Sequence, residues 1–288
     1  MKKNTASQPL TKDQAFALVD AVMENDELAI TASAFEDENG EWVFEASCNK
    51  EPDIEAFNQL ANNILGGNVT FSSVKVDKNI DWVSKSLAGL KPVVAGGFYV
   101  YGSHDKANLP SGVTGLKIDA AQAFGTGHHE TTTGCLEAIE KTLKHETPRF
   151  ILDIGTGTGL LAIAIAKRTK EIIIASDIDP IAVKITKENA ILNNVNRYVH
   201  AIEAKGVNHR DIAINAPYDL IVANILANPL IKLAPGIGRI SNKGATIILS
   251  GILAPQATRV IAAYRQQGIT LKKRIIKGEW ATLILKKP

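Results

Sequence analysis

The stretch Phe150-Ile151-Leu152-Asp153-Ile154-Gly155-Thr156-Gly157-Thr158-Gly159 decides the fold of this chain. Its apolar beginning is typical of a buried strand, and its glycines predict a tight loop before a helix over residues 160–167. Glycine lets a ligand approach the backbone closely, and a helix start offers unpaired N–H groups and the positive end of a dipole. The stretch therefore predicts a strand, a loop and a helix that together bind a nucleotide-like ligand.

A second acidic position supports this interpretation. The predicted strand over residues 171–176 ends at Asp177, about twenty residues after the glycines, where an acid can bind both hydroxyls of a ribose. Gly157-x-Gly159-x-x-Ala162 also satisfies the dinucleotide pattern, so a nicotinamide dinucleotide stays open beside S-adenosylmethionine. Asp153 favours the latter, because it would oppose a pyrophosphate but could bind the loop or an α-ammonium. A glycine turn that only packs the helix on the strand is the structural alternative.

A polar residue follows another predicted buried strand, residues 218–223. That strand ends in Asn224-Ile225-Leu226-Ala227-Asn228-Pro229, and in a doubly wound sheet this end faces the ligand cleft. Ile225 and Leu226 offer no aromatic ring to stack a flipped base, so an aliphatic amine fits better. The Asn224 side-chain oxygen could accept a hydrogen bond from that amine and aim its lone pair at a methyl carbon. Asn224 is therefore the predicted catalytic residue, although asparagine is also common in turns.

The segment at 123–133 predicts a loop before an amphipathic helix over residues 134–143. Its glycines give hinge freedom, Thr131 to Thr133 could cap the helix, and Phe124 could cover the adenine or the methyl group. His128-His129-Glu130 lacks the four-residue spacing of helical metal ligands, so we interpret the histidines as loop residues and expect no metal.

The N-terminal part of the chain is acidic. Residues 1–80 carry 6 Lys and Arg against 14 Asp and Glu, a net charge of −8, whereas residues 81–288 have a net charge of +10. Residues 11–76 predict helix, strand, strand, helix and strand, a small α+β domain with one helical layer. An acidic domain would repel nucleic acid and attract a basic protein, although a solvated face is the simpler explanation of the charge.

Four segments together resemble one known family, the PrmA-type methyltransferases of large-subunit ribosomal protein eleven. They are Ala-Phe-Gly-Thr-Gly-His-His-Glu-Thr-Thr at 123–132, Asp153-Ile154-Gly155-Thr156-Gly157-Thr158-Gly159, Asp177-Ile178-Asp179-Pro180 and Val222-Ala223-Asn224-Ile225-Leu226-Ala227. The similarity extends from about Asp119 to the end, is weaker over residues 81–102, and in the acidic part is mainly one of size and element order. Glu130 stands where many members have Pro, and the polar Met1 to Leu10 does not resemble their opening strand.

The resemblance implies S-adenosylmethionine as methyl donor and lysine ε-amines and an N-terminal α-amine of the ribosomal protein as acceptors. It carries four cofactor positions over to this chain: Thr132, Gly155, Asp177 and Asn224. Phe124, Asp153 and Gly157 complete the predicted cofactor site. Displacement at the sulfonium methyl needs a neutral amine, and because lysine has a pKa of about 10.4, the site must desolvate it. No general base is evident, so water is the expected proton acceptor.

A chain of 288 residues is longer than one compact core usually needs. We predict a recognition domain over residues 1–80, a linker with a short hairpin over 81–118, and a methyltransferase domain over 119–288. The expected fold of the last is α/β, a doubly wound, mostly parallel, seven-stranded Rossmann-like sheet. Lys277-Gly278-Glu279 predicts a hairpin that adds an antiparallel strand. An NAD(P)-dependent oxidoreductase and a non-catalytic nucleoside-binding module remain alternatives.

Composition bounds the location and partners. No apolar stretch of the secretory kind follows the charged start, and no membrane span is predicted. Cys48 and Cys135 lack paired spacing and are expected to be buried thiols in a reducing compartment, which predicts a cytoplasmic protein. Lys272-Lys273-Arg274 is interpreted as a solvated strand, so no direct nucleic-acid partner is expected, and the chain is expected to be a monomer.

Overall fold

The computed structural model describes residues 2–6, 10–25, 28–29, 31–36, 40–48, 51–66, 69–74, 92–102, 109–119 and 129–288. The described residues up to Val74 form one compact unit and those from Pro92 form another. The predicted boundary between residues 80 and 81 falls in a segment, 75–91, that lies outside the described residues. The division into residues 1–80, 81–118 and 119–288 therefore stays a prediction.

The N-terminal unit is a four-stranded antiparallel sheet with two helices. Its elements are β1 (Lys2–Ala6), α1 (Lys12–Glu24), β2 (Thr31–Glu36), β3 (Trp42–Cys48), α2 (Ile54–Leu65) and β4 (Phe71–Val74), with strand order β2-β3-β1-β4. Thr11 and Gln14 form a reciprocal capping box at the start of α1, because each side chain accepts from the other residue's backbone N–H. The core is aromatic, with the Phe71 ring 5.7 Å from that of Phe44 and 5.6 Å from that of Phe57.

Strand β1 is an element that the sequence pattern did not predict. Residues 2–6 are polar and show no apolar alternation, yet they pair antiparallel with β3 on one side and β4 on the other. A strand in the middle of a sheet has its backbone N–H and C=O groups paired along both edges. Backbone pairing of this kind outweighs the weak strand propensity of a polar sequence.

The second unit contains the large sheet. Its strands are β8 (Ile151–Ile154), β9 (Ile173–Asp177), β10 (Val199–Glu203), β11 (Tyr218–Asn224), β12 (Ser241–Leu253), β13 (Thr270–Lys277) and β14 (Trp280–Lys286), in the order β10-β9-β8-β11-β12-β14-β13. The five strands from β10 to β12 are parallel, and β14 is antiparallel to both of its neighbours. This confirms the predicted seven-stranded, mostly parallel α/β fold, with its antiparallel hairpin at Lys277-Gly278-Glu279.

Helices cover both faces of this sheet. They are α3 (His129–Leu143), α4 (Leu160–Thr169), α5 (Pro180–Leu192), α6 (Arg210–Ile214), α7 (Ala227–Ile240) and α8 (Ala257–Arg265). The first three share one buried core and the last three share another, so neighbouring strand residues such as Ile151 and Leu152 are buried on opposite faces. Burial on both faces explains the continuous apolar runs of the parallel strands.

A small sheet packs on the first of these cores. It consists of β5 (Val93–Ala95), β6 (Phe98–Tyr101) and β7 (Thr114–Lys117), and β5 and β6 form an antiparallel hairpin. Phe98 and Leu116 bury their side chains in the core that α3, α4 and α5 share. Among the helices of the described residues, none is long and apolar enough to cross a lipid bilayer.

One predicted helix start was wrong. Helix α3 begins at His129 and not at residue 134, so Thr131 to Thr133 lie within its first turns and do not precede it as caps. Thr131 and Thr132 are buried there, and this tertiary burial outweighs the low helix propensity of threonine and Gly134. After β12 the chain forms a 3₁₀ turn, Ala254–Gln256, that leads directly into α8.

Candidate functional site

The glycine loop, residues 155–159, joins β8 to α4. Gly155, Gly157 and Gly159 have φ values of 68°, 57° and 81°, a region that residues with a side chain rarely adopt. The N–H groups of Gly155 and Thr156 both donate to the carbonyl oxygen of Ser176, at 2.8 and 3.0 Å. The loop is thereby fixed against the end of β9.

Asp153, at the end of β8, anchors the glycine loop through side-chain hydrogen bonds. Its carboxyl is buried, and Oδ2 accepts hydrogen bonds from the Thr156 hydroxyl at 2.7 Å and from the Ala162 N–H at 3.2 Å. The other oxygen, Oδ1, has no hydrogen-bond partner among the described residues. Burial raises the pKa of Asp153 to about 7, despite the opposing effect of the two hydrogen bonds. A buried acid with one unsatisfied oxygen can bind a cation.

Asp177 closes the same loop from the end of β9. Its half-buried carboxylate accepts from the Gly157 N–H through Oδ2 at 2.8 Å and from the Asp179 N–H through Oδ1 at 3.0 Å. Burial raises the pKa of this carboxyl, and the backbone hydrogen bonds counteract the rise. Each oxygen keeps acceptor capacity beyond these bonds, so the carboxylate can still accept from two hydroxyl groups.

Asn224 lies at the end of β11, where the neighbouring residue Ala223 pairs with Ile154 of β8. Its Nδ2 is 3.5 Å from the Thr131 hydroxyl oxygen, the outer limit of a hydrogen bond. The amide nitrogen of Asn224 thus lies on the side of α3. Thr132, a predicted cofactor residue, is buried next to Thr131.

Residues 224–226, named the acceptor loop for the role predicted for Asn224, lie directly against the glycine loop. A Cβ atom on Gly155 would overlap the side chain of Ile225, and one on Gly251 would lie 2.5 Å from the Ile225 carbonyl oxygen. The Ile225 N–H also donates to the Ser250 carbonyl oxygen at 3.2 Å. Because Gly155 and Gly251 have no side chains, the glycine loop and β12 can both pack closely against residues 224–226.

The structure thus gathers most of the predicted residues at one edge of the sheet. Asp153, Gly155, Gly157, Asp177 and Asn224 lie at the carboxyl ends of β8, β9 and β11, which are neighbours in the order β9-β8-β11. This is the edge where ligands bind in open α/β sheets.

Phe124 and His128 lie outside the described residues, and His129 is the first residue of α3. Within the described part of the chain, no group of three or more His, Cys, Asp or Glu side chains could hold a metal ion.

Sequence reasoning missed four contributors to this site. Thr131 contacts Asn224, Gly251 admits the acceptor loop, and Thr186 and Asn189 of α5 donate to carbonyl oxygens of the glycine loop. Polar residues three positions apart on the otherwise apolar, buried side of a helix are a signal that could have revealed the last two.

The class of this protein is that of the Rossmann-like methyltransferases. Three features define it: a mostly parallel seven-stranded sheet, a glycine loop after the first strand of that sheet along the chain, and an acidic residue at the end of the second strand. The family of ribosomal protein L11 methyltransferases (PrmA) matches residues 4–288. The chain belongs to this family.

Individual relatives have the same name. The chain is 43% identical over 274 residues to the ribosomal protein L11 methyltransferase of Brucella suis, covering 95% of each chain. It is 41% identical over 276 residues to that of Mesorhizobium japonicum, covering 95% of this chain and 94% of the relative. The crystal structure of a ribosomal protein L11 methylase from Lactobacillus delbrueckii subsp. bulgaricus is similar with a TM-score of 0.60 and 26% identity, over 66% of this chain and 95% of that one. These relatives do not support the oxidoreductase alternative.

Proposed function

We propose that this protein transfers methyl groups from S-adenosylmethionine to amino groups of ribosomal protein L11. The observation that carries the proposal is the convergence of the glycine loop, Asp177 and Asn224 at the ends of three neighbouring parallel strands. Membership of the PrmA family supports both the donor and the protein substrate.

The residues of the site fit S-adenosylmethionine, which supplies an activated methyl group when bound. Asp177 would accept hydrogen bonds from the ribose hydroxyls, and the unsatisfied Oδ1 of buried Asp153 would hold the α-ammonium. The positive φ angles of Gly155 and Gly157 keep the loop free of side chains where the donor approaches. Phe124 and Thr132 complete the proposed donor site.

Asn224 is the proposed catalytic residue, because its side-chain oxygen would orient the acceptor amine. Thr131 on the nitrogen side of the amide favours this orientation. Ile225 and Leu226 flank Asn224 with apolar surface, and desolvation lowers the pKa of a lysine amine and exposes its lone pair. No general base is part of the proposal, and the proton released by the amine goes to water. Lysine ε-amines and an N-terminal α-amine are the proposed acceptors.

Recognition of the protein substrate is assigned to residues 1–80, whose net charge of −8 complements a basic partner. The proposal includes no metal, no direct nucleic-acid partner, a monomeric state and a cytoplasmic location. Cys48 and Cys135 are buried and form no disulfide, which supports a reducing compartment.

Mass spectrometry of ribosomal protein L11 after incubation with the enzyme and isotope-labelled S-adenosylmethionine tests the proposal. Mass increments of one or more methyl groups on lysine or the N-terminus are expected, and they should disappear with an Asn224→Ala variant. Donor binding without any transfer would instead support the non-catalytic nucleoside-binding alternative. Absence of donor binding would overturn the proposal entirely.

A further inference from the structure

Two side chains of α5 hold consecutive carbonyl groups of the glycine loop. The Thr186 hydroxyl donates to the Gly157 carbonyl oxygen at 3.0 Å, and the Asn189 amide nitrogen donates to the Thr158 carbonyl oxygen at 2.9 Å. Thr186 and Asn189 are 0% and 1% exposed, so neither bond competes with bulk water. Hydrogen bonds of this kind fix backbone orientation more firmly than those of an exposed side chain.

The direction of these bonds determines where the loop presents its donors. The peptide bond between Gly157 and Thr158 is trans, so the Thr158 N–H points opposite to the Gly157 carbonyl. Because Thr186 draws that carbonyl toward α5, the Thr158 N–H faces away from α5. The next N–H, that of Gly159, donates to the Thr156 carbonyl oxygen at 2.8 Å and closes the turn.

A glycine loop needs such external restraint. Glycine populates both halves of the φ range about equally, so peptide planes beside Gly157 and Gly159 can rotate at low cost. Thr186 also packs against Gly159, where an added Cβ would lie 2.8 Å from the Thr186 Cγ2 atom. The side chains of α5 therefore select one of several backbone arrangements that the loop sequence permits.

Asn189 has a second role that Asn193, the C-cap residue of the same helix, does not share. The Asn189 Oδ1 atom accepts from the Asp119 N–H at 2.9 Å, so its amide bridges the glycine loop and the segment after β7. Asn193 instead contacts the end of β7, accepting from the Lys117 N–H at 3.0 Å and donating to the Lys117 carbonyl oxygen at 2.6 Å, and it also donates to the Asn189 backbone carbonyl oxygen at 2.8 Å. The two asparagines form a natural matched pair, of which one contacts the glycine loop.

We propose that Thr186 and Asn189 are positioning residues that preset the glycine loop for the methyl donor, an inference that rests on the proposed function. They act through the backbone and make no contact with the reacting atoms. Their loss should weaken donor binding while leaving the affinity for the protein substrate unchanged, because the acceptor loop is held by other contacts.

The test compares Asn189→Ala with Asn193→Ala in the full-length protein. Calorimetry with S-adenosylhomocysteine, at a temperature at which thermal melts show both variants folded, is expected to give a Kd about tenfold higher for Asn189→Ala. Asn193→Ala should lower Tm by about as much as Asn189→Ala does, because each variant loses buried hydrogen bonds. Its Kd for S-adenosylhomocysteine should nevertheless stay within about twofold of that of the unmodified protein. Equal Kd values for the two variants would overturn the inference.

Thr186→Val provides a second variant, because valine keeps the shape that packs against Gly159 and removes only the hydroxyl. A rise in the donor KM of about fivefold, with an unchanged KM for ribosomal protein L11, is expected. An unchanged donor KM would contradict the role of Thr186. If the unmodified protein itself fails to bind S-adenosylhomocysteine, the proposed function fails; if it binds and the variants bind equally well, only this inference fails.

Discussion

At the scale of single residues, the buried carboxyl of Asp153 is expected to make donor binding depend on pH. Burial holds its pKa at about 7, well above that of an exposed aspartate, so the donor-free protein retains the proton on most molecules below that pH. An ammonium group binds the carboxylate form, and binding at pH 6 must therefore release the proton first. Donor affinity is expected to rise roughly tenfold between pH 6 and 7.5, a range below the ionisation of the donor's own α-ammonium.

Calorimetry with S-adenosylhomocysteine in buffers of different ionisation enthalpy measures this effect, because the released proton is taken up by the buffer. The variant Asp153→Asn should bind more weakly and lose the pH dependence. Proton release that persists in Asp153→Asn would assign the titration to another group.

Asp177 is expected to contribute to donor affinity and little to folding. In Asp177→Ala the ribose hydroxyls and the Gly157 N–H lose their acceptor, so donor Kd should rise at least tenfold. Circular dichroism should show a folded protein, because the carboxylate is only half-buried at a strand end. An unchanged Kd in the folded variant would refute the ribose role.

Asn224 is expected to affect turnover more than donor binding, because its proposed role is to orient the acceptor amine. Replacement by alanine should lower kcat about a hundredfold and change the donor Kd less than threefold. Single-turnover methyl transfer with saturating donor separates these two quantities. Transfer at the unmodified rate would exclude Asn224 from catalysis.

At the scale of elements, strand β12 offers a test of how closely the acceptor loop must pack. Gly244 and Gly251 lie in this strand with φ values of 80° and 78°, so an alanine at either position is strained by about 1–2 kcal/mol. Only at Gly251 would the added Cβ meet the backbone of Ile225; at Gly244 no atom lies within 4 Å. Gly251→Ala should therefore be less stable than Gly244→Ala by about 1–3 kcal/mol.

Urea unfolding of the two variants gives this difference directly, and their kcat values show whether the acceptor loop has moved. Gly244→Ala should keep the unmodified kcat, whereas Gly251→Ala should lower it because Ile225 follows Asn224. Equal stability and equal kcat for the two variants would mean that the loop adjusts without cost.

At the scale of the whole molecule, the charge difference between residues 1–80 and the rest predicts salt-dependent recognition. Attraction between an acidic surface and a basic protein is screened over about 8 Å at physiological ionic strength. The KM for ribosomal protein L11 should therefore rise roughly several-fold between about 50 and 500 mM salt, while the donor Kd changes little.

Removal of residues 1–80 provides a complementary measurement. The described residues of the proposed donor site all follow Asp119, so S-adenosylhomocysteine binding should persist while methylation of the protein substrate is lost. Full-rate methylation by the shortened protein would show that recognition lies elsewhere.

The sequence by itself determined the parts of this protein that depend on local patterns. Apolar runs predicted β8, β9 and β11, because a strand buried on both faces has no polar alternation. The glycine loop could be predicted directly, since positive φ angles favour glycine, and so could the Gly278 turn between the antiparallel strands. These features involve residues within one element or its adjacent turn.

Only the tertiary structure decided the features that join distant parts of the chain. Polar β1 is a strand because β3 and β4 satisfy its backbone on both sides, and α3 starts early because its threonines are buried. Asn189 reaches both Thr158 and Asp119, and Gly251 meets Ile225, although each pair is far apart in sequence. The physical reason is that a distant segment of the chain supplies the backbone pairing and the burial in each case. These contacts contribute more free energy than local propensities do, so the local sequence does not predict them.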